Sequence, residues 1–222
     1  MESKKQSLSR RDKVFLLLGG IFVTNAIVAE LIGGKLFAVG PFVMSMGILP
    51  WPIVFLATDL INEHYGKSGV KFLTFTTVGL ITFTFFVLFG AIQIPAVDFS
   101  PVDDQSFYIV FGQSIWIIVG SITAFLLSQL LDVAVFWFFK QRTGARKLWL
   151  RATGSTAISQ FFDTFIVAGI AFWLPGKITT SNFVSLSLTN YSYKLGIAVA
   201  LTPLIYLGHY AATKYLDKDK AS

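Results

Sequence analysis

Acidic side chains are scarce in this chain, and several stand where water cannot readily reach them. Glu30, Asp59, Asp132 and Asp163 lie inside long apolar runs, as does Lys194. An ionisable group within a hydrocarbon layer is costly, so it turns toward other protein or a cavity, where it pairs, takes an ion or holds a polar solute. Counting along each run at 1.5 Å per helical residue sorts these groups by depth. Asn25, Gln160, Asp163 and Lys194 form a central layer of donors and acceptors, suited to binding a solute at mid-membrane. Asp59 and Asp132 fall about 10–12 Å from one end of their runs. With Glu63 they make an inner layer suited to gating or ion coupling, in which Asp59 and Asp132 are expected to pair with Arg142, Arg146 or Arg151. Glu30 and Gln113 lie toward the opposite end.

Plainer readings stand beside these. Asp163 and Lys194 could serve only to neutralise each other, although such a pair can also open around a ligand. Asp59, Asn62 and Glu63 share one helix face at i, i+3 and i+4, yet Glu63 and His64 are within a turn of the helix end and could be interfacial. Lys35 reads as an exposed residue able to snorkel. His64 and His209 sit in different spans with no ligand pattern around them, so no metal or other cofactor is expected. Ser155, Thr156 and Ser159 read first as small residues for close helix packing. Among the aromatics, Trp116, Phe162, Trp173 and Tyr191 are candidates to stack on a flat ligand. Enzyme signatures are missing: there is no HExxH, no Gly-x-Ser-x-Gly and no phosphate-cradling glycine loop. A two-aspartate protease built on Asp132 and Asp163 is disfavoured by their different depths, and no enzymatic activity is expected.

These residues must be positioned by membrane-spanning helices. Of 222 residues, 54% are hydrophobic and 14% charged, with 23 phenylalanines. Soluble domains carry about 25% charged residues, and disordered chains are poor in aromatics. The expected fold is a single all-α transmembrane domain of six spans, near 14–34, 49–65, 72–94, 107–139, 152–174 and 188–210, with tails at 1–13 and 211–222. The first run is too long for a signal-peptide core and lacks a cleavage site, which predicts a retained span. Pro50-Trp51-Pro52 is a good helix start, and Gly66 a helix stop. The run 107–139 exceeds the hydrocarbon thickness as one helix, so it must tilt, break or project. Pro203 predicts a kink in the last span.

Lysine and arginine settle the expected orientation. Lys4, Lys5, Arg10, Arg11, Lys13, Lys67, Lys71, Lys140, Arg142, Arg146, Lys147, Arg151, Lys214, Lys218 and Lys220 all fall on one side of a six-span layout. The other side holds Lys35 and Lys177. The positive-inside rule then puts both termini in the cytoplasm. The net charge of +6 becomes a topology signal, and nucleic acid drops out as a partner. Cysteine is absent, so disulfides and thiolate chemistry are excluded.

Four segments, FLATDLINEHYGK, SQLLDVAVFWFFK, LWLRATGSTAISQFFDTFIVAGIAFW and YSYKLGIAVALTPLIY, resemble the queuosine precursor transporter family, also called the vitamin uptake transporter family. Asn25 and Lys35 fit its first-span pattern, and the likeness runs from about Val14 to Tyr210. The resemblance implies bacterial inner-membrane import of 7-cyano-7-deazaguanine or 7-aminomethyl-7-deazaguanine for tRNA modification salvage. It also implies a six-helix bundle similar to the S components of energy-coupling-factor transporters, working without an obligate ATPase.

A 7-deazaguanine suits the residues already singled out. Its N1–H and exocyclic amine are adjacent donors for a carboxylate such as Asp163, and its carbonyl needs a donor from Lys194, Asn25 or Gln160. An aminomethyl cation would call for a second carboxylate, from Glu30, Asp59 or Asp132. Three alternatives remain at this level: uptake of another flat vitamin or nucleobase, a binding subunit needing an ATP-driven partner, and a membrane protein whose buried charges merely pair. Lipids are the expected surroundings, and faces of small residues permit a homodimer.

Overall fold

The computed structural model describes residues 8–40, 42–112, 115–144 and 147–217. Helix α1 spans Arg10–Ile32. It opens on a capping box in which the Ser9 hydroxyl accepts from the Asp12 N–H at 3.1 Å and Asp12 accepts from the Ser9 N–H at 3.3 Å, closing two of the helix's orphan donors. A short antiparallel hairpin follows, β1 (Leu36–Val39) with β2 (Phe42–Ser45), paired Leu36 to Ser45. It adds a small β element to the all-α expectation. Its turn includes Gly40 at φ +58°, a conformation that glycine adopts at least cost.

Helix α2 runs Trp51–Ile92 as one hydrogen-bonded element, but Gly66 inside it has φ 74° and ψ −173°. At that residue the chain doubles back. Gly69, on the second leg, lies against Tyr65 and Ile61 of the first leg, and a Cβ there would meet Tyr65 Cβ at 2.8 Å. An uninterrupted helix would put Ile61 about 12 Å from Gly69 along its axis. The second leg runs alongside α1, with Gly69 by Phe15 and Gly19 by Leu73. The expected spans 49–65 and 72–94 are therefore the two legs of one helical hairpin. Glycine at 66 permits it, because other residues resist positive φ.

The expected span 107–139 is broken. Helix α3 (Asp104–Phe111) is capped by Asp103, which accepts from the Ser106 N–H at 2.8 Å, and α4 covers Ile115–Thr143. Helix α5 covers Leu148–Ala168 and continues as a π-helical segment, Gly169–Trp173. The last expected span is longer than foreseen and divided: α6 (Thr180–Ala200) and α7 (Thr202–Asp217) meet at Leu201 with a 44° bend. Pro203 explains the break, having no N–H for the carbonyl of Val199.

By length and composition, four helices can cross a membrane, or five if α6 and α7 form one span. That count treats α2 as a single helix. The core between them holds Phe22, Ala26, Val54, Ile61, Val70, Leu73, Phe125 and Val133, while Phe72, Phe75, Phe83, Phe86 and Phe89 on the second leg of α2 face outward. A helix apolar on both faces suits a bundle bathed in lipid. This is an all-α multi-pass membrane protein with a small hairpin at one end.

Contacts along the helices fix their directions. Both ends of the described chain lie together, with the Arg10 guanidinium over the Tyr215 ring at 5.5 Å. The Gly66 turn is at the same end, where Arg11 donates to the His64 carbonyl at 3.0 Å. So is the α4–α5 connection, where Arg151 donates to the Gly144 carbonyl at 2.7 Å.

Candidate functional site

Three levels of polar groups run through the bundle. At the basic end, Glu63 on the first leg of α2 receives Arg151 of α5 in a two-pronged contact, Nη2 to Oε1 at 2.9 Å and Nε to Oε2 at 3.1 Å. Lys140 of α4 adds a third contact at 3.2 Å. Arg151 is 2% exposed, so the pair is shielded and its geometry matters more than that of a surface pair. Beside it, His64 Nε2 and His209 Nδ1 lie 3.2 Å apart with their rings stacked.

At the far level, Lys194 of α6 meets Asp163 of α5 at 2.6 Å. The Ser128 hydroxyl of α4 also reaches Asp163, at 3.2 Å. Farther toward the hairpin end, the Ser121 hydroxyl donates to the buried carboxylate of Glu30.

Between these levels are two small cavities that share Phe55 and Thr156. One is lined by Phe55, Thr58, Ser128, Gln129, Asp132, Thr156, Ser159 and Gln160. The other is lined by Phe55, Leu56, Asp59, Thr153, Thr156, Ala198, Leu201 and Ile205. Helical spacing places these groups: Phe55, Thr58, Asp59 and Asn62 repeat at i, i+3, i+4 and i+7, and so do Thr156, Ser159, Gln160 and Asp163. Asp132 accepts from the Ser159 hydroxyl at 3.2 Å through one oxygen. Its other oxygen is buried without a partner, as are Asp59 Oδ1, Gln129 Oε1 and both side-chain polar atoms of Asn62. Each cavity has room for about one water molecule.

This arrangement joins some of the expected residues and separates others. Asp163 and Lys194 pair, and Gln160 lines the cavity one turn below Asp163. Asp132 lines the same cavity, so the two layers read from depth are continuous through Ser128. Asn25 instead donates to the Ile21 carbonyl of its own helix at 2.8 Å. Trp116 and Phe162 are exposed and do not reach the cavities. Tyr191 packs edge-on to Phe161 at 5.4 Å, and Trp173 stacks on Phe183. Gln113 and Arg146 lie outside the described residues. The arginine closure forms on a different acid from those expected: Arg151 pairs with Glu63 rather than Asp59 or Asp132, and Arg142 lies over the Phe138 ring at 4.0 Å. Glu63 thereby bridges α2 to both α4 and α5. The two histidines, distant in sequence, are in contact. Among the described residues, no three His, Asp or Glu side chains form a group that could hold a metal ion.

Phe55, Thr58, Ser128 and Gln129 line the candidate site, and Ser121 holds Glu30, without having been singled out beforehand. The signal was present, since Phe55 and Thr58 precede Asp59 by four and three residues, while Ser128 and Gln129 precede Asp132 by four and three.

Buried ion pairs at two levels and an acid-lined cavity between them, inside apolar helices, are the makings of a membrane transport protein. The chain belongs to the vitamin uptake transporter family, whose model, described as "Putative vitamin uptake transporter", matches residues 45–208. It is 35% identical to a "Probable queuosine precursor transporter" of Bacillus subtilis, over 80% of this chain and 75% of that one. It is 28% identical to a "Queuosine precursor transporter" of Escherichia coli, over 71% and 69% of the two chains. A Haemophilus influenzae relative described as "Probable queuosine precursor transporter" is 27% identical over 72% and 66%. No solved structure matches the chain. The family is one of transporters and not of enzymes.

Proposed function

We propose that this protein imports queuosine precursors, 7-cyano-7-deazaguanine and 7-aminomethyl-7-deazaguanine, across the bacterial inner membrane. In this reading six passes form an S-component-like bundle with both termini in the cytoplasm, working without an ATP-driven partner. The helical hairpin at Gly66 supports the count, since it turns one long helix into two opposed passes. Gathering of Arg10, Arg11, Lys140, Arg151 and Lys214 at one end supports the orientation.

The observation that carries the substrate reading is the Asp163–Lys194 pair at 2.6 Å, set one helical turn from Gln160. A guanine-type edge offers two adjacent N–H donors and one carbonyl acceptor. Asp163 takes the donors and Lys194 the carbonyl, so the ligand replaces the pair's mutual contact with one contact to each member. Gln160 completes the edge. Glu30 is the second carboxylate on the far side of Asp163 for an aminomethyl cation. The cavities as they stand are too small for a bicyclic ring, so binding requires the α5–α6 contact to open.

The test is uptake in a cell that cannot make queuosine precursors, with this gene alone restored and queuosine in tRNA as readout. Wild type restores the modification. Asp163→Asn retains membrane insertion but loses charge-assisted hydrogen bonds that contribute about 1.5–3 kcal/mol, which lowers affinity roughly 10- to 100-fold. Normal uptake by that variant would remove Asp163 from the site.

A further inference from the structure

Charge is matched at two levels of the bundle and unmatched between them. Glu63 is taken by Arg151 and Lys140, and Asp163 by Lys194. Asp132 and Asp59 line the two adjoining cavities between those levels, and no described lysine, arginine or histidine forms an ion pair with either. Asp59 is 2% exposed, and Asp132 and Gln129 are each 5% exposed. Each has an oxygen with no donor. Two uncompensated carboxylates in a low-dielectric interior are not sustainable together.

Four hydroxyls line the cavity, those of Thr58, Ser128, Thr156 and Ser159, and three of them have partners that fix where their protons go. Thr58 donates its proton to the Val54 carbonyl. Ser128 directs its proton to the Phe125 carbonyl or Asp163, and Ser159 to the Thr156 carbonyl or Asp132. What these three hydroxyls have left for an occupant is lone pairs, beside the free oxygens of Asp132 and Gln129. Such a lining favours a positively charged guest, and the space admits about one water-sized particle.

We propose that the cavity between Asp132, Gln129, Thr58, Ser128 and Ser159 is a monovalent-cation site. Its occupant is a sodium ion, or a proton carried on Asp132 in its place, and it travels with the substrate. The surrounding charges are Asp59 and Glu63 on α2, Lys140 on α4, Arg151 and Asp163 on α5, and Lys194 on α6. Ser128 links the two sites. A cation on its oxygen directs its proton to Asp163, which supports that carboxylate when Lys194 turns to the substrate. Cation binding is independent of the queuosine-precursor reading; the coupling rests on it.

The experiment uses the full chain purified in detergent, with thermal unfolding followed by tryptophan fluorescence. Sodium, potassium and choline chlorides are compared at equal ionic strength, each across a pH series. A sodium ion, or acid for a proton, should raise the wild-type midpoint by roughly 2–4 °C or more. Asp132→Asn and Gln129→Leu should lose that rise, and Asp163→Asn should keep it. A wild-type midpoint indifferent to both sodium and pH overturns the site, as does an unchanged rise in both Asp132→Asn and Gln129→Leu. Proteoliposomes then receive 7-cyano-7-deazaguanine under an inward sodium gradient, an inward proton gradient or neither. Accumulation above equilibrium under one gradient supports coupling and names the ion. Equilibration that ignores both gradients overturns the coupling. A cation effect lost in Asp132→Asn, with no 7-deazaguanine entry at all, keeps the cation site and removes the substrate reading instead.

Discussion

The acids at the basic end and those in the middle of the bundle are built on opposite plans. Glu63 is held by two cations from two other helices, and Arg151 also donates to the Gly144 carbonyl. Asp59, one turn from Glu63 on α2, and Asp132, two turns from Lys140 on α4, keep an oxygen each without a partner. A fully satisfied network rigidifies the packing around it, and a partly satisfied one stores an unmet demand. The first plan ties helices together; the second keeps unpaired oxygens at the place proposed for a cation.

The largest effect should come from breaking the first plan. Arg151→Met leaves Glu63 buried beside a single lysine, and removing one partner of a buried pair costs about 3–5 kcal/mol. Thermal unfolding in detergent should show that loss. Asp132→Asn in the same assay, without added sodium, should change stability by about 1 kcal/mol or less, because no cation loses its partner. Equal losses in the two variants would erase the contrast. A middle-sized effect is expected at the turn that brings Glu63 to its partners. Gly66→Ala forces a Cβ into positive φ at a cost of roughly 1–2 kcal/mol, again read as unfolding, and Gly66→Asn should cost less because asparagine tolerates that region.

The smallest effect lies outside both levels. Hydrogen bonds from the Ser106 N–H and hydroxyl hold the exposed Asp103 carboxyl below its ordinary value of 3.8. Its capping of α3 is therefore complete above that value and lost as pH falls through the depressed one. Hydrogen exchange over residues 104–111 should accelerate only in strong acid, with Glu63 and Asp132 variants behaving as wild type there.

Much of this was readable from the residues because lipid makes charge conspicuous. Asp163 and Lys194 stood out as mid-span charges and are in contact; Gly66 and Pro203 marked a reversal and a break. Other features depend on how helices rotate about their axes, which depth along a span does not reveal. Arg151 was expected on Asp59 or Asp132 by its level, and only the rotation of α2 and α5 about their axes brings it to Glu63. Trp116 and Phe162 had the right chemistry for stacking but are exposed, whereas Phe55 was one phenylalanine among many. The contact of His64 with His209 follows from α7 leaning back onto α2, where Gly208 lies against Leu60.

The bend at Leu201 divides the last pass into a lever and an anchor. The anchor, α7, is moored by His209 on His64 and by Tyr215 under Arg10. The lever, α6, carries Lys194 and meets α5 through the Asp163 salt bridge and the edge-on ring pairs Tyr191–Phe161 and Phe183–Phe165. Because the joint lies beside the cavity that contains Asp59, tilting the lever would widen the bundle at its polar centre while the moorings stayed fast. Backbone hydrogen bonding is already interrupted there by Pro203, so the swing would bend no intact helix.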